Sequence, residues 1–246
     1  MLKFEQISVA GRLNEVSGQV ASGEFVHVLG TNGSGKSSLL SAIAGLLPLE
    51  QGQIWFAQKN LQDYSLPQLA ALRCLQEQQQ NSAFALTVAE VLYFFSENKD
   101  FPVELDGALE LQHLMAKPLN QLSGGEARRV HIARTLLQVW PTIKRGTALI
   151  LLDEPNQGLD FKHQHLLFSL LRKLCHAGNL VIVNHHDLNL CQQYADKIWL
   201  MQAGQIVKSL SSLEQISNQE LAAIFACSIQ SAVDATGNKI FQTYLA

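Results

Sequence analysis

The sequence predicts an α/β fold built around a parallel sheet, and three observations carry that reading. Residues 25–29, 148–152 and 180–183 are short, nearly continuous apolar runs, the pattern of strands buried on both faces. Residues 162–176, between the last two runs, read as a crossover helix. Residues 30–37 form a glycine-rich turn between the first run and a helix, which is where a phosphate-binding loop belongs.

The elements follow in order. Residues 2–9 alternate weakly and read as a strand. Residues 25–29 are the buried strand entering the glycine loop. Residues 38–47 are the helix after it, closed by Gly45 and Pro48. Residues 53–57 are another strand, and the polar, glutamine-rich stretch 76–82 reads as a solvated loop. From 88 to about 139 the apolar spacing becomes helical: Val88, Val91, Leu92 and Phe95, then Leu105 and Leu109, then Val130, Ile132, Ala133, Leu136 and Leu137. A helical block inside a βα pattern reads as an inserted subdomain. Residues 140–146 read as a polar connector. Residues 198–201 and 205–208 flank Ala203-Gly204 as a hairpin, and Gly237-Asn238 separates two further strand-like stretches.

Bulk properties exclude several classes. The chain has 246 residues, enough for one sizeable α/β domain with a smaller insert. Its 18 Lys and Arg against 21 Asp and Glu leave it nearly neutral, so charge supplies no reason to expect a nucleic-acid partner. Cys74, Cys175, Cys191 and Cys227 are scattered, which suggests neither a zinc site nor a disulfide framework and fits a reducing cytosol. No secretory signal is visible, and no apolar run approaches the ~20 residues that span a bilayer. A soluble chain that docks on a membrane protein is expected.

Residues Gly30, Thr31, Asn32, Gly33, Ser34, Gly35, Lys36 and Ser37 fit GxxxxGK[ST] in full, with Ser38 opening the helix proper. The glycines let successive N–H groups face one concavity, and the helix N-terminus adds partial positive charge. Lys36 is expected to reach the β- and γ-phosphates and the Ser37 hydroxyl to ligate magnesium. Asp153 and Glu154 end an apolar run at the C-terminal edge of a buried strand, where ligands gather in open α/β sheets. Asp153 suits magnesium, and Glu154 suits a general base for the attacking water. Glu126 starts a helix that Ser123 can cap, with Gly124 and Gly125 leaving its first amides exposed as an anion site. A second phosphate cradle has little use in a monomer and a clear one in a dimer.

In this order the motifs resemble the ATP-binding-cassette (ABC) transporter ATPases. Walker A matches residues 30–37, the signature Leu122-Ser123-Gly124-Gly125-Glu126, and Walker B residues 149–153 with Glu154 following. The D-loop matches Gly158-Leu159-Asp160, and the switch histidine matches His186 within Asn184-His185-His186-Asp187-Leu188. The Q-loop glutamine matches Gln78, with Gln79 and Gln80 open by spacing alone. The resemblance implies one nucleotide-binding domain over residues 1–246. Its fold would be a P-loop NTPase (RecA-like) core with an N-terminal antiparallel β subdomain and an inserted α-helical subdomain at about 79–139.

It further implies ATP and Mg2+ as ligands, with Ser37, Asp153 and Gln78 around the metal. Two chains would close head to tail, so that Lys36 and Ser37 of one face Ser123 and Gly125 of the other. His186 would contact the γ-phosphate and hold water in line with Glu154, and His185 would be an ordinary polar loop residue. The implied partners are an integral membrane permease dimer and, indirectly, a periplasmic substrate-binding protein, with no nucleic acid. The expected place is the cytoplasmic face of the bacterial inner membrane, with a docking surface around residues 78–95 that includes Phe84 and Leu86.

Within the family, Arg12-Leu13, Gln78-Gln79-Gln80 with Phe84-Ala85, Asn120-Gln121 and His186-Asp187-Leu188-Asn189 are most similar to the ATPases of cobalamin (vitamin B12) importers of Gram-negative bacteria. Iron–siderophore and haem importers are the alternative. Two departures stand out. The family's adenine-stacking aromatic has no counterpart at residues 9–13, where Arg12 is either a stacking guanidinium or a solvated cation. Gly158 occupies a position where serine or alanine is usual. ATPases acting on DNA or ribosomes form a second class, but they carry two cassettes, coiled-coil inserts or basic surfaces that this sequence lacks.

Overall fold

The computed structural model describes residues 1–77, 86–94, 101–235 and 239–244. It opens with β1 (Leu2–Val9), β2 (Leu13–Val20), β3 (Phe25–Leu29), α1 (Lys36–Ile43), β4 (Gln51–Phe56) and β5 (Lys59–Asn60). Then come α2 (Leu66–Leu72), β6 (Arg73–Gln76), α3 (Val88–Tyr93), α4 (Val103–Leu109), α5 (Gly124–Gln138), α6 (Trp140–Lys144) and β7 (Leu149–Asp153). It ends with α7 (Phe161–His176), β8 (Leu180–Asn184), α8 (Leu188–Tyr194), β9 (Lys197–Gln202), β10 (Gln205–Leu210), α9 (Asn218–Phe225), β11 (Ser228–Val233) and β12 (Lys239–Tyr244).

The central sheet runs β10-β9-β3-β8-β7-β6. Its β6–β7, β7–β8, β8–β3 and β3–β9 pairs are parallel, and only β10 is antiparallel. A separate antiparallel sheet, β2-β1-β4-β5, covers one face. The residues of β7 explain the layering. Ile150 and Leu152 point into a core shared with α3, α4, α5 and α7, while Leu149 and Leu151 point into a core shared with α1 and the antiparallel sheet. All four are fully buried, worth about 1.5–3 kcal/mol each in removed apolar surface. A third core gathers Leu29, Leu188, Ile198, Leu200, Leu221 and Phe241 under the C-terminal hairpin β11–β12.

α7 shows how sequence dictates the crossover. Asp160 caps it, Leu167, Phe168, Leu170, Leu171 and Leu174 bury one stripe, and Lys173 and His176 sit in its last turn against the helix dipole. Ala203 and Gly204 both have positive φ, the requirement of the tight turn joining β9 to β10.

Three expectations are corrected. Residues 140–146 are not a connector: Trp140–Lys144 is a helix, because Pro141 presets the first turn and Thr142 and Ile143 are buried, with the Thr142 hydroxyl donating to Ala71 O at 2.7 Å. Gln76 does not belong to the loop assigned to 76–82: it is fully buried as the last residue of β6, paired with Leu152, while 78–82 lie outside the described residues. The first helix starts at Lys36 and ends at Ile43, earlier than the Leu47 expected. The helical groups read within 88–139 correspond to α3, α4 and α5, with Phe95 outside the described residues. Among the described residues no helix is long and apolar enough to cross a membrane.

Candidate functional site

The parallel strands converge on one edge, and the site is assembled there. β3 leads directly into the phosphate loop. Gly30 is required because a Cβ would lie 2.3 Å from Met201 O, and Gly35 because its φ of 103° is left-handed and a Cβ would lie 3.0 Å from Arg12 O. Lys36 folds back over the loop, and its Nζ donates to Gly30 O at 2.8 Å and Thr31 O at 2.9 Å. Burial lowers its pKa, opposed by the nearby Glu154 and Asp153 carboxylates. An open cleft of about 380 Å3 is lined by Arg12, Asn32, Gly33, Lys36, Ser37, Ser38 and Glu154 among others. Arg12 therefore borders the phosphate loop. Ser34 is buried, and its hydroxyl has no partner among the described residues.

β7 ends at the buried Asp153, and Glu154 follows with a left-handed φ of 48°. That turn is held from two sides. The Glu154 N–H donates to Asn184 Oδ1 at 2.7 Å and to Asn184 O at 3.1 Å. The Arg128 guanidinium, on α5, donates to the carbonyls of Asp153 at 2.8 Å and Glu154 at 2.6 Å. Glu154 Oε1 lies 2.8 Å from His186 Nε2. Glu154 thus meets His186 on one side and lines the phosphate-loop cleft on the other.

The signature serine caps α5. Its Oγ accepts from Glu126 N at 3.3 Å, and Glu126 Oε2 accepts from Ser123 N at 2.7 Å, a reciprocal capping box. The bond from Ser123 N, with Lys117 nearby, holds the Glu126 carboxyl down at about 2. Ser123, Gly124 and Gly125 do not line the cleft around Lys36 of their own chain. Gly125 instead meets the D-loop, where a Cβ would lie 2.9 Å from Gly158 O. Gly158 itself has φ 78°, which accounts for glycine in place of serine or alanine. Asp160 accepts from His163 N at 2.8 Å and contacts the His163 ring at 2.9 Å, capping α7, and it does not line the Lys36 cleft of its own chain. Gln78, Gln79, Gln80 and Phe84 lie outside the described residues, and Leu86 is exposed.

One expectation fails here. His185 is no ordinary loop histidine: it is 1% exposed, with Nε2 2.8 Å from Nδ1 of the fully buried His27. Sequence reading also missed Arg128, Asn184 and His27. A lone histidine inside the otherwise apolar strand 25–29 was the available signal for the last. Arg128 and Asn184 carry no local signal, because each acts through main-chain groups of residues remote in sequence.

An all-oxygen donor set of hydroxyl and carboxylate suits a hard cation such as Mg2+. Among the described residues no cluster of three or more His, Cys, Asp or Glu side chains could hold a metal, so a cation at Ser37 and Asp153 would need further oxygen ligands.

A parallel sheet whose edge carries a phosphate loop, a buried aspartate and a glutamate–histidine pair defines a P-loop nucleotide hydrolase. Residues 13–157 match the ABC transporter family, and the chain belongs to it as an ABC-type ATPase that binds ATP. It resembles the vitamin B12 import ATP-binding protein BtuD of Yersinia enterocolitica, with 40% identity over 240 residues covering 94% of this chain and 93% of that protein. The protein of that name from Photorhabdus laumondii is 36% identical, with 100% and 98% covered. That from Escherichia coli O139:H28 is 33% identical, with 98% and 97% covered. Among solved structures, the ATP-binding cassette MJ0796 in a dimeric post-hydrolysis state with ADP and Pi superposes with a TM-score of 0.75 at 26% identity, covering 86% of this chain and 98% of that one. An inward-facing metal-chelate type ABC transporter gives a TM-score of 0.79 at 23% identity, covering 99% and 96%, and speaks for the fold alone.

Proposed function

We propose that this chain is the ATP-hydrolysing subunit of an importer that moves vitamin B12 (cobalamin) through a separate permease in the bacterial inner membrane. The observation that carries the hydrolytic part is the 2.8 Å contact of His186 with Glu154, which lines the Lys36 cleft. The cargo rests on likeness to relatives named for vitamin B12 import.

The chain's own residues perform the chemistry as follows. Gly30, Thr31, Asn32, Gly33, Ser34, Gly35 and Ser38 cradle the phosphates with main-chain N–H groups, and Lys36 Nζ leaves the Gly30 and Thr31 carbonyls for the β- and γ-phosphates. Glu154 Oε accepts a proton from water as the water oxygen attacks the γ-phosphorus and the bond to the β-phosphate oxygen breaks, giving ADP and phosphate. His186 holds that water and the γ-phosphate in line. Ser37, Asp153 and Gln78 would hold magnesium, which would neutralise phosphate charge.

Hydrolysis requires two copies of the chain. Ser123, Gly124, Gly125 and Glu126 of one complete the site of the other, and Asp160 acts across the same interface. Residues 1–246 form one nucleotide-binding domain, in which about 79–139 is the helical subdomain that docks on the permease dimer. The permease in turn engages a periplasmic substrate-binding protein, and the ATPase stays at the cytoplasmic face.

Uptake of labelled cobalamin in cells lacking this chain is the test. Uptake should fail, and return with the wild-type chain but not with Glu154→Gln. If cobalamin uptake persists while iron–siderophore or haem uptake fails, the ATPase reading stands and the cargo is one of those instead.

A further inference from the structure

Behind the Glu154–His186 pair lies a second, hidden pair of histidines that the hydrolytic chemistry does not use. His27 is the central residue of β3, two residues before Leu29 and the phosphate loop, and is fully buried. His185 opens the turn that carries His186. The two rings stand edge to face, 4.8 Å between centroids at 82°, and both pack against Phe168 of α7, at 5.6 Å for His27 and 5.5 Å for His185.

Their proton positions follow from the partners. Asp187 N–H donates to His185 Nδ1 at 3.1 Å, so the His185 proton sits on Nε2. Nε2 therefore donates to His27 Nδ1 at 2.8 Å. His27 Nε2 finds no acceptor among the described residues. Both rings are neutral: burial, then the charge of His186 and Lys36, holds His185 down to about 3, and burial with His185 and Arg172 holds His27 well below the ordinary value.

A second tie lies beside the first, since His185 N donates to Val28 O at 3.3 Å. Val28 pairs in register with Asn184, whose side chain holds the Glu154 N–H. One continuous path thus joins the strand bearing the phosphate loop, the turn bearing His186 and the backbone of Glu154. Two apolar side chains would fill this core without the cost of burying two imidazoles, so packing alone does not account for the pair.

We propose that His27 and His185 are positioning residues for ATP hydrolysis: their hydrogen bond locks the turn of residues 185–187 to β3, so that His186 meets Glu154 in fixed register with the phosphate loop. This rests on the reading of Glu154 and His186 as the hydrolytic pair. His27 is fully buried and outside the lining of the Lys36 cleft; it acts through His185 and then His186.

Three variants of the purified full-length chain test it: His27→Leu, which removes the acceptor; His27→Asn, whose Oδ1 can take the place of Nδ1; and His186→Ala. We expect His27→Leu to lower kcat about 10- to 100-fold with KM for ATP changed less than about twofold, the cost of a slightly misplaced catalytic group. His27→Asn should recover to within about threefold of wild type. The double variant His27→Leu/His186→Ala should be no slower than His186→Ala alone, because both act on one contact. If leucine does not fold, His27→Thr, too short to reach His185, takes its place with the same expected loss. Equal losses for the leucine (or threonine) and asparagine variants, a loss confined to KM, or additive losses in the double variant would overturn the proposal. Full activity of His186→Ala would instead overturn the hydrolytic reading beneath it. A slow His186→Ala beside a wild-type-like His27→Leu would sink this inference alone.

Discussion

Glu154 Oε1 stands 2.8 Å from His186 Nε2, and the two residues come from the ends of adjacent parallel strands, β7 and β8. The parallel register pairs Asp153 with Asn184, so each chain emerges from the sheet at the same level and the two functional side chains meet one turn later. Replacing Glu154 by Gln keeps the shape and a hydrogen-bonding group but removes the base. Phosphate release should fall on the order of 10²–10⁴-fold, with ATP binding retained and a dimer accumulating in ATP on a sizing column. Near-normal turnover in this variant would remove Glu154 from its role.

Ser123 caps α5 in the structure and has a second, cross-chain duty in the proposed dimer. As cap of α5 it satisfies the Glu126 N–H, so Ser123→Ala should cost about 1 kcal/mol of stability and lower Tm modestly. Ser123→Arg loses the same cap and also places a long cation where a second chain's phosphates are expected. It should match the alanine variant in Tm and in ATP binding by the isolated chain, yet fail to form the ATP-dependent dimer. Loss of ATP binding by the monomer would contradict a cross-chain role.

Arg128 joins the signature helix to the carboxylate turn of the same chain through the Asp153 and Glu154 carbonyls. Arg128→Met should remove this donor from both partly buried carbonyls, leaving Glu154 O with the Gln157 N–H at 3.1 Å, and cost about 1 kcal/mol or more. Steady-state kinetics should show a lower kcat with KM nearly unchanged. A variant with unaltered kcat would confine Arg128 to stability.

Gly158→Ser restores the side chain usual in relatives but forces it into φ 78°. The strain is about 1–2 kcal/mol, so Tm should fall rather than rise. Gly125→Ala meets a harder obstacle, since its Cβ would press on the Gly158 carbonyl at 2.9 Å. A rise in Tm for either variant would show that the D-loop turn relaxes easily.

Acid should destabilise the chain in two windows. Burial first, and then the charges of Arg134 and Arg128, holds His131 down to about 4, and His185 is held down to about 3. An unfolded histidine takes up its proton below about 6.5, whereas these native ones do not. Their share of stability is therefore complete above that pH and falls as pH drops toward 4 and 3. His131→Leu should flatten the upper part of the Tm profile, between about 6.5 and 4. Glu126 is the opposite case, an acid held down to about 2 from 4.5, so its share is lost only as pH falls through that range, and Glu126→Gln should flatten the lower window. Identical profiles for wild type and both variants would contradict these assignments.

The sequence by itself determined the parts whose physics is local. A glycine pattern sets the phosphate loop, a Ser-to-Glu spacing of three sets the cap of α5, and an apolar run ending in two carboxylates sets the edge of β7. It misread residues 140–146, where the buried face of a short helix is supplied by neighbours, and it placed Gln76 in solvent because a polar residue at a strand end gives no local sign of burial. Tertiary structure alone decided how these parts meet. The register of β3, β8 and β7 puts His27 under His185 and Asn184 under Glu154, and the approach of α5 lays Arg128 across the carboxylate turn. The Asn184 and Arg128 contacts join residues far apart in the chain through backbone carbonyls and amides, which nearly every residue carries and which therefore leave no mark in the sequence.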